Sequence, residues 1–135
     1  MTIADTKYSG KEIEYIVTFD SKGNPLEGGK NYRLHLSQNI PAGNFWSIIL
    51  YDSQTRLIIN TDQKWPSVFS NCQSLIINQD GSIDIWFGPK ATLDKEHNWL
   101  QTIQGKGWYI ILRLYGPMKA WFDKTWKPGE IEQLK

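Results

Sequence analysis

The sequence predicts an all-β domain: an antiparallel β-sandwich of jelly-roll type, with one short helical turn near the C-terminus. Three observations carry the prediction. Runs in which apolar and polar residues alternate recur along the chain, the period of a strand with one buried face. Glycine (11 residues) and proline (6) fall between those runs, where a chain that reverses direction needs them. Aromatic residues make up 13% of the chain, with 7 tryptophans, enough large rings to dominate a core between two layers.

Residues 1–10 are small and polar and read as a flexible arm. Over residues 12–19, Ile13, Tyr15, Val17 and Phe19 face one way, and Glu12, Glu14 and Thr18 the other. Residues 20–25 are turn chemistry, with Gly23 supplying positive φ, and Gly28-Gly29 adds a second hinge. Tyr32, Leu34 and Leu36 then alternate with Arg33, His35 and Ser37 in another one-sided strand. After a loop at 39–44, residues 45–51 are almost continuously apolar, the pattern of a strand covered on both faces. Residues 52–55 turn the chain, 56–60 return it, and 61–73 read as irregular.

Residues 75–87 read as a hairpin, two β-rich arms about Asn78-Gln-Asp-Gly81, because Asp-Gly suits a tight turn. Residues 88–98 form a polar loop with one helical turn. Residues 108–115 are a dense strand. Tyr109, Ile111, Arg113 and Tyr115 share one face, and Trp108, Ile110, Leu112 and Leu114 the other. Pro117 stops it, 119–125 is a short helix before Pro128-Gly129, and 130–135 is a polar tail.

A chain of 135 residues is one domain's worth, here 1–135. The net charge of +1, with signs interspersed, argues against a nucleic-acid partner, which calls for a basic stripe. No stretch approaches the apolar length that spans a membrane, and the first residues have no apolar leader core, so a cytoplasmic chain is expected. Cys72 stands alone, which excludes an internal disulfide and a thiolate zinc site. No cofactor is expected.

The residues that could carry chemistry are few. Ser, His and Asp are present without a nucleophile-elbow spacing, and His35 and His97 read as solvated surface histidines. Asp94, Glu96 and His97 lack the two-histidine spacing of a helical metal site and read as a charged loop. Gly105-Lys-Gly107 lacks the length and the Lys-Ser/Thr of a phosphate loop and reads as a tight turn. Arg113 lies inside an apolar strand, where a guanidinium is costly unless something answers its charge. Either it clamps a carboxylate (Asp52, Asp84 or Asp123), or it binds an anion in a pocket with Tyr109 and Tyr115. Asn98-Trp99 and Tyr51-Asp52 sit where strands meet loops, as corner braces or as the rim of a ligand cleft.

The ordered motifs Gly29-Lys-Asn-Tyr-Arg-Leu-His-Leu36, Phe45-Trp-Ser-Ile-Ile-Leu-Tyr-Asp52, Asn78-Gln-Asp-Gly-Ser-Ile-Asp84, Phe87-Gly-Pro-Lys90, Leu112-Arg-Leu-Tyr-Gly-Pro117 and Asp123-Lys-Thr-Trp-Lys-Pro-Gly129 resemble the DUF1214 domain. That domain is the C-terminal half of bacterial DUF1254/DUF1214 proteins. The resemblance implies a jelly-roll sandwich that normally follows a DUF1254 domain, in long relatives that often look exported. It implies no reaction and no catalytic residue. Measured against it, this chain reads as a stand-alone domain, a split partner or a truncated remnant. The expectation is a non-catalytic module that packs on a DUF1254-like partner or on itself as a homo-oligomer, with a small polar or carbohydrate ligand. The alternative is a hydrolase- or lyase-type domain with its pocket around Arg113 and Tyr115. A structural shell role rests on fold analogy alone.

Overall fold

The computed structural model describes residues 4–63, 66–91 and 96–134. Those described residues form nine strands and one short helix: β1 (Ala4–Tyr8), β2 (Glu12–Val17), β3 (Tyr32–Leu36), β4 (Ala42–Asp52), β5 (Ser67–Phe69), β6 (Ile83–Gly88), β7 (Trp99–Gln101), β8 (Trp108–Pro117), α1 (Lys119–Phe122) and β9 (Ile131–Gln133). They form a five-stranded sheet, β1-β2-β8-β4-β5, and a four-stranded sheet, β7-β6-β3-β9. The fold is all-β, as the alternation predicts.

The inward rows of the two sheets build one core. Ile13, Ile48, Leu50, Ile110, Leu112 and Leu114 come from the larger sheet, and Leu34, Leu36, Ile85, Phe87, Leu100 and Ile131 from the smaller. Burying each such side chain contributes about 1.5–3 kcal/mol. Trp108 ties the layers: its ring stacks on Phe87 at 4.8 Å and meets Tyr32 edge-on at 5.3 Å.

The turn chemistry holds where glycine is needed. Gly23 (φ 82°) and Gly81 (φ 88°) both take left-handed backbone, and the Gly81 amide closes its turn on the Asn78 carbonyl at 2.9 Å.

Several elements differ from the sequence expectation. The supposed flexible arm contains β1, which pairs along its whole length with β2, from Ala4 opposite Val17 to Tyr8 opposite Ile13. The irregular stretch contains β5, β7 follows directly after the polar loop, and the polar tail contains β9. β5, β7 and β9 are short edge strands held by a partner elsewhere in the chain rather than by their own periodicity, and β1 is the outer arm of a hairpin with β2. The hairpin keeps its turn but loses its first arm: residues 75–77 do not form a strand. One pairing, β6 with β7, is parallel. The predicted helix stops at Phe122. In β4, Trp46, Ile48 and Leu50 are buried in the core, while Phe45, Ile49 and Tyr51 are only half-buried on the opposite, outer face.

Candidate functional site

The predicted site residues do not converge on one place. On the outer face of the larger sheet, β4 and β8 bring four of them together. Tyr51 stacks on Tyr109 at 5.2 Å, and the Arg56 guanidinium lies over the Tyr109 ring at 5.7 Å. Arg113 donates from a terminal guanidinium nitrogen to the Tyr51 hydroxyl at 3.0 Å. Its carboxylate partners are neither Asp52, Asp84 nor Asp123 but Glu14 (3.0 Å) and Glu12 (3.3 Å) of the adjacent strand. The antiparallel register places Glu14 directly opposite Arg113, a cross-strand relationship that spacing along one strand cannot reveal.

Burial by itself would weaken Arg113's hold on its proton, but the hydrogen bond with Tyr51 and the nearby charges raise its pKa instead. Tyr115 stacks flat on Phe45 at 4.4 Å; burial and then the Glu12 charge push its phenol up, so it stays neutral. Arg113 lines neither of the two cavities described below.

The other three candidates brace corners. One Asp52 carboxylate oxygen accepts from the backbone amides of Gln54 (2.8 Å) and Thr55 (3.2 Å). The Gln54 bond is the chief reason its pKa is lowered. Asn98, 2% exposed, clips residues 75–77 to the smaller sheet. The Trp99 indole donates to the Gly88 carbonyl at 3.0 Å.

His35 is an exposed histidine, as expected, and it is paired. Its Nδ1 lies 2.7 Å from an Asp84 carboxylate oxygen, and Asn78 donates to the other oxygen at 3.1 Å. Burial alone would raise the Asp84 pKa; the bonds from His35 and Asn78 overcome it and hold the carboxyl below its ordinary value. His97 is exposed at the 3-10 turn Glu96–Asn98, and Asp94 lies outside the described residues. Among the described residues no three His, Cys, Asp or Glu gather as a metal site, and no helix is long and apolar enough to cross a membrane.

The Gly105-Lys-Gly107 segment and residues 27–30 enclose a small cleft of about 370 Å³. Its lysines are already paired, Lys30 with Glu27 at 2.6 Å and Lys106 with Asp52 at 3.5 Å. Gly28 lies so close to the Ile103 carbonyl that a Cβ there would sit 1.8 Å from its oxygen, so this region is tight backbone packing.

The larger cleft, about 760 Å³, was not foreseen. It opens between the β1–β2 edge and the end of α1 with the chain that follows it, and its lining includes Thr6, Tyr8, Ile13, Tyr15, Trp121, Phe122 and Trp126. Lys124, Lys127, Pro128 and Glu130 complete it. Such a volume suits a small-molecule site. The rings stand as walls: Tyr15 meets Trp121 edge-on at 5.6 Å, Tyr8 meets Phe122 edge-on at 5.4 Å, and Trp121 tilts against Trp126 at 6.3 Å. Trp126 is fixed by its indole donating to the Ser37 carbonyl at 3.2 Å. Burial, then the Glu130 charge, raise the Tyr15 phenol above its ordinary value, so it stays a neutral donor. The sequence signal was three aromatics within residues 121–126, outside any strand. The partners that make them a site lie more than a hundred residues earlier.

The family model described as "Protein of unknown function (DUF1214)" matches residues 11–119. The chain belongs to the DUF1214 family. Of the cleft lining, Ile13 and Tyr15 fall inside the matched stretch of the DUF1214 domain and the rest flank it.

Two solved structures share its fold. The VPA0106 protein from Vibrio parahaemolyticus aligns with a TM-score of 0.78 at 24% identity, over 93% of this chain and 31% of that one. An uncharacterized protein from Burkholderia cenocepacia aligns with a TM-score of 0.55 at 17% identity, over 94% of this chain and 30% of that one. The DUF1214 domain described here therefore spans about a third of the length of either neighbour. A comparison with curated proteins finds no match.

Proposed function

We propose that this DUF1214 domain is a non-catalytic binding module. In this reading it holds a small ring-bearing or sugar-like ligand in the Tyr15–Trp121 cleft and works packed against a further domain or a second copy of itself. The observation that carries the reading is the cleft: five aromatic rings around one cavity, with polar groups confined to a few positions. Stacking faces with sparse polar groups suit ligands that present a flat apolar surface and a hydroxyl or charged edge. Tyr8 and Phe122 at the cleft are 58% and 51% exposed, apolar surface that a ligand or partner would cover.

The non-catalytic part is supported by how the charged groups are used. Arg113 is held by Glu12, Glu14 and Tyr51, Asp52 by its own turn, and Asp84 by His35 and Asn78. The packing part is supported by the structural neighbours, each about three times longer than the aligned region.

An NMR titration with maltose, D-glucuronate and 4-phenylbutyrate tests the binding part. The indole N–H signals of Trp121 and Trp126 move with at least one of them, and Trp121→Ala abolishes the shift. Signals that stay fixed with all three overturn the reading. Light scattering on the purified chain tests packing, and a clean monomer that captures no partner contradicts it.

A further inference from the structure

From the charges at the cleft we infer that its ligand is an anion, a ring-bearing body carrying a carboxylate that Lys124 and Lys127 meet. The inference rests on the cleft being the binding site. Lys124, Lys127 and Glu130 are the charged residues in a lining that is otherwise aromatic and aliphatic apart from Thr6. Among the described residues none of these three forms an ion pair; Lys7, Lys11, Lys22, Lys90 and Lys119 form none either, so what sets Lys124 and Lys127 apart is their place in the cleft lining. The cleft therefore keeps two uncommitted positive charges beside surface that repels water, an arrangement complementary to an amphipathic anion.

The backbone adds an independent observation. Lys124 follows α1 with φ 62°, the left-handed conformation that glycine or asparagine usually takes just past a helix C-terminus. Any residue with a Cβ is strained there, as Asn39 and Arg56 also are, and strained backbone clusters at functional sites. The neighbouring turn needs no lysine: Asp123 closes it by accepting from the amide (2.9 Å) and hydroxyl (2.7 Å) of Thr125. What lysine adds at 124 is an ammonium at the cleft. Glu130 remains to accept from ligand hydroxyls, next to the neutral Tyr15 phenol.

The shared chemistry is a carboxylate on a ring-bearing body, either a sugar acid or an aryl carboxylate. The test compares two matched pairs by NMR titration at constant ionic strength: D-glucuronate against D-glucose, and 4-phenylbutyrate against 4-phenylbutyramide. At least one acid binds about fivefold or more tighter than its neutral partner, and the tighter acid identifies the source. Lys124→Gln and Lys127→Gln each weaken that acid about threefold while the neutral partner binds unchanged. Both side chains are exposed, so the variants retain the wild-type amide spectrum away from the cleft. If acid and neutral partner bind equally, or if the lysine variants bind the acid as wild type does, the charge inference falls and the cleft stands. If no compound moves the Trp121 and Trp126 signals, both fall.

Discussion

The side-chain amide of Asn98 stands in for a strand beside Ile76. Its oxygen accepts from the Ile76 amide at 2.9 Å, and its nitrogen donates to the Ile76 carbonyl at 2.8 Å and the Asp84 carbonyl at 3.0 Å. The pattern copies what a neighbouring backbone would provide in a ladder. Gln63 does the same at the edge of β7, accepting from the Gln101 amide at 2.7 Å and donating to the Trp99 carbonyl at 2.9 Å. The domain thus secures irregular chain with side-chain amides where sheet pairing ends.

Asn98→Ala leaves three part-buried backbone groups without their side-chain partner. The expected loss is about 2–4 kcal/mol, since each orphaned group costs about 1–3 kcal/mol before relaxation and water entry. Asn98→Asp is at least as harmful, because it turns a lone pair toward two carbonyls. Urea unfolding of both variants checks this; a change below about 0.5 kcal/mol contradicts it.

Arg113→Met exposes the cost of leaving Glu12 and Glu14 half-buried without a cation. Partial solvent access at the pair limits the loss to about 1–3 kcal/mol. Adding Glu14→Gln to that variant recovers part of the stability, so the two changes are less than additive. Additivity in a double-mutant cycle contradicts a direct ion pair.

Asp84 makes stability depend on acid. Its folded pKa lies below the unfolded value of about 3.9, so the folded state holds its proton less tightly. The contribution is complete above that unfolded value and disappears as pH falls through the lower folded value. Asp84→Asn therefore destabilises by about 1 kcal/mol at pH 7, and the gap to wild type narrows below pH ~4. A gap that stays constant or widens in acid sinks the assignment.

Lys124→Gly relieves left-handed backbone strain. Against the added freedom of the unfolded chain, the net gain is about 0.5–1 kcal/mol, read as a raised Tm. The same variant binds the acidic ligand more weakly. A variant that is both less stable and unaltered in binding contradicts the role given to Lys124.

The long strands were legible because each carries its own buried face: Ile13 and Val17, Leu34 and Leu36, Ile83 to Phe87, and Trp108 to Leu114. The four short edge strands were not. Ser67–Phe69 has one buried residue, Val68, and Trp99–Gln101 has one, Leu100, too little periodicity to separate from loop. Arg113 was recognised as needing a counter-charge, but its partners depend on β2–β8 register. The resemblance to DUF1214 was legible in motifs such as Asn78-Gln-Asp-Gly-Ser-Ile-Asp84, whose Asn78 and Asp84 the structure uses for bracing. The cleft was not, because Tyr15 and Trp121 meet only after β1, β2, α1 and the segment past it are assembled.

The most direct test is the indole region of a ¹H–¹⁵N NMR spectrum as D-glucuronate and 4-phenylbutyrate are added. A site at the cleft moves Trp121 and Trp126 and leaves Trp108, buried between the sheets, where it was. Movement of Trp108 alone, or of Trp99 on the smaller sheet with Trp121 silent, would show that the ligand goes elsewhere.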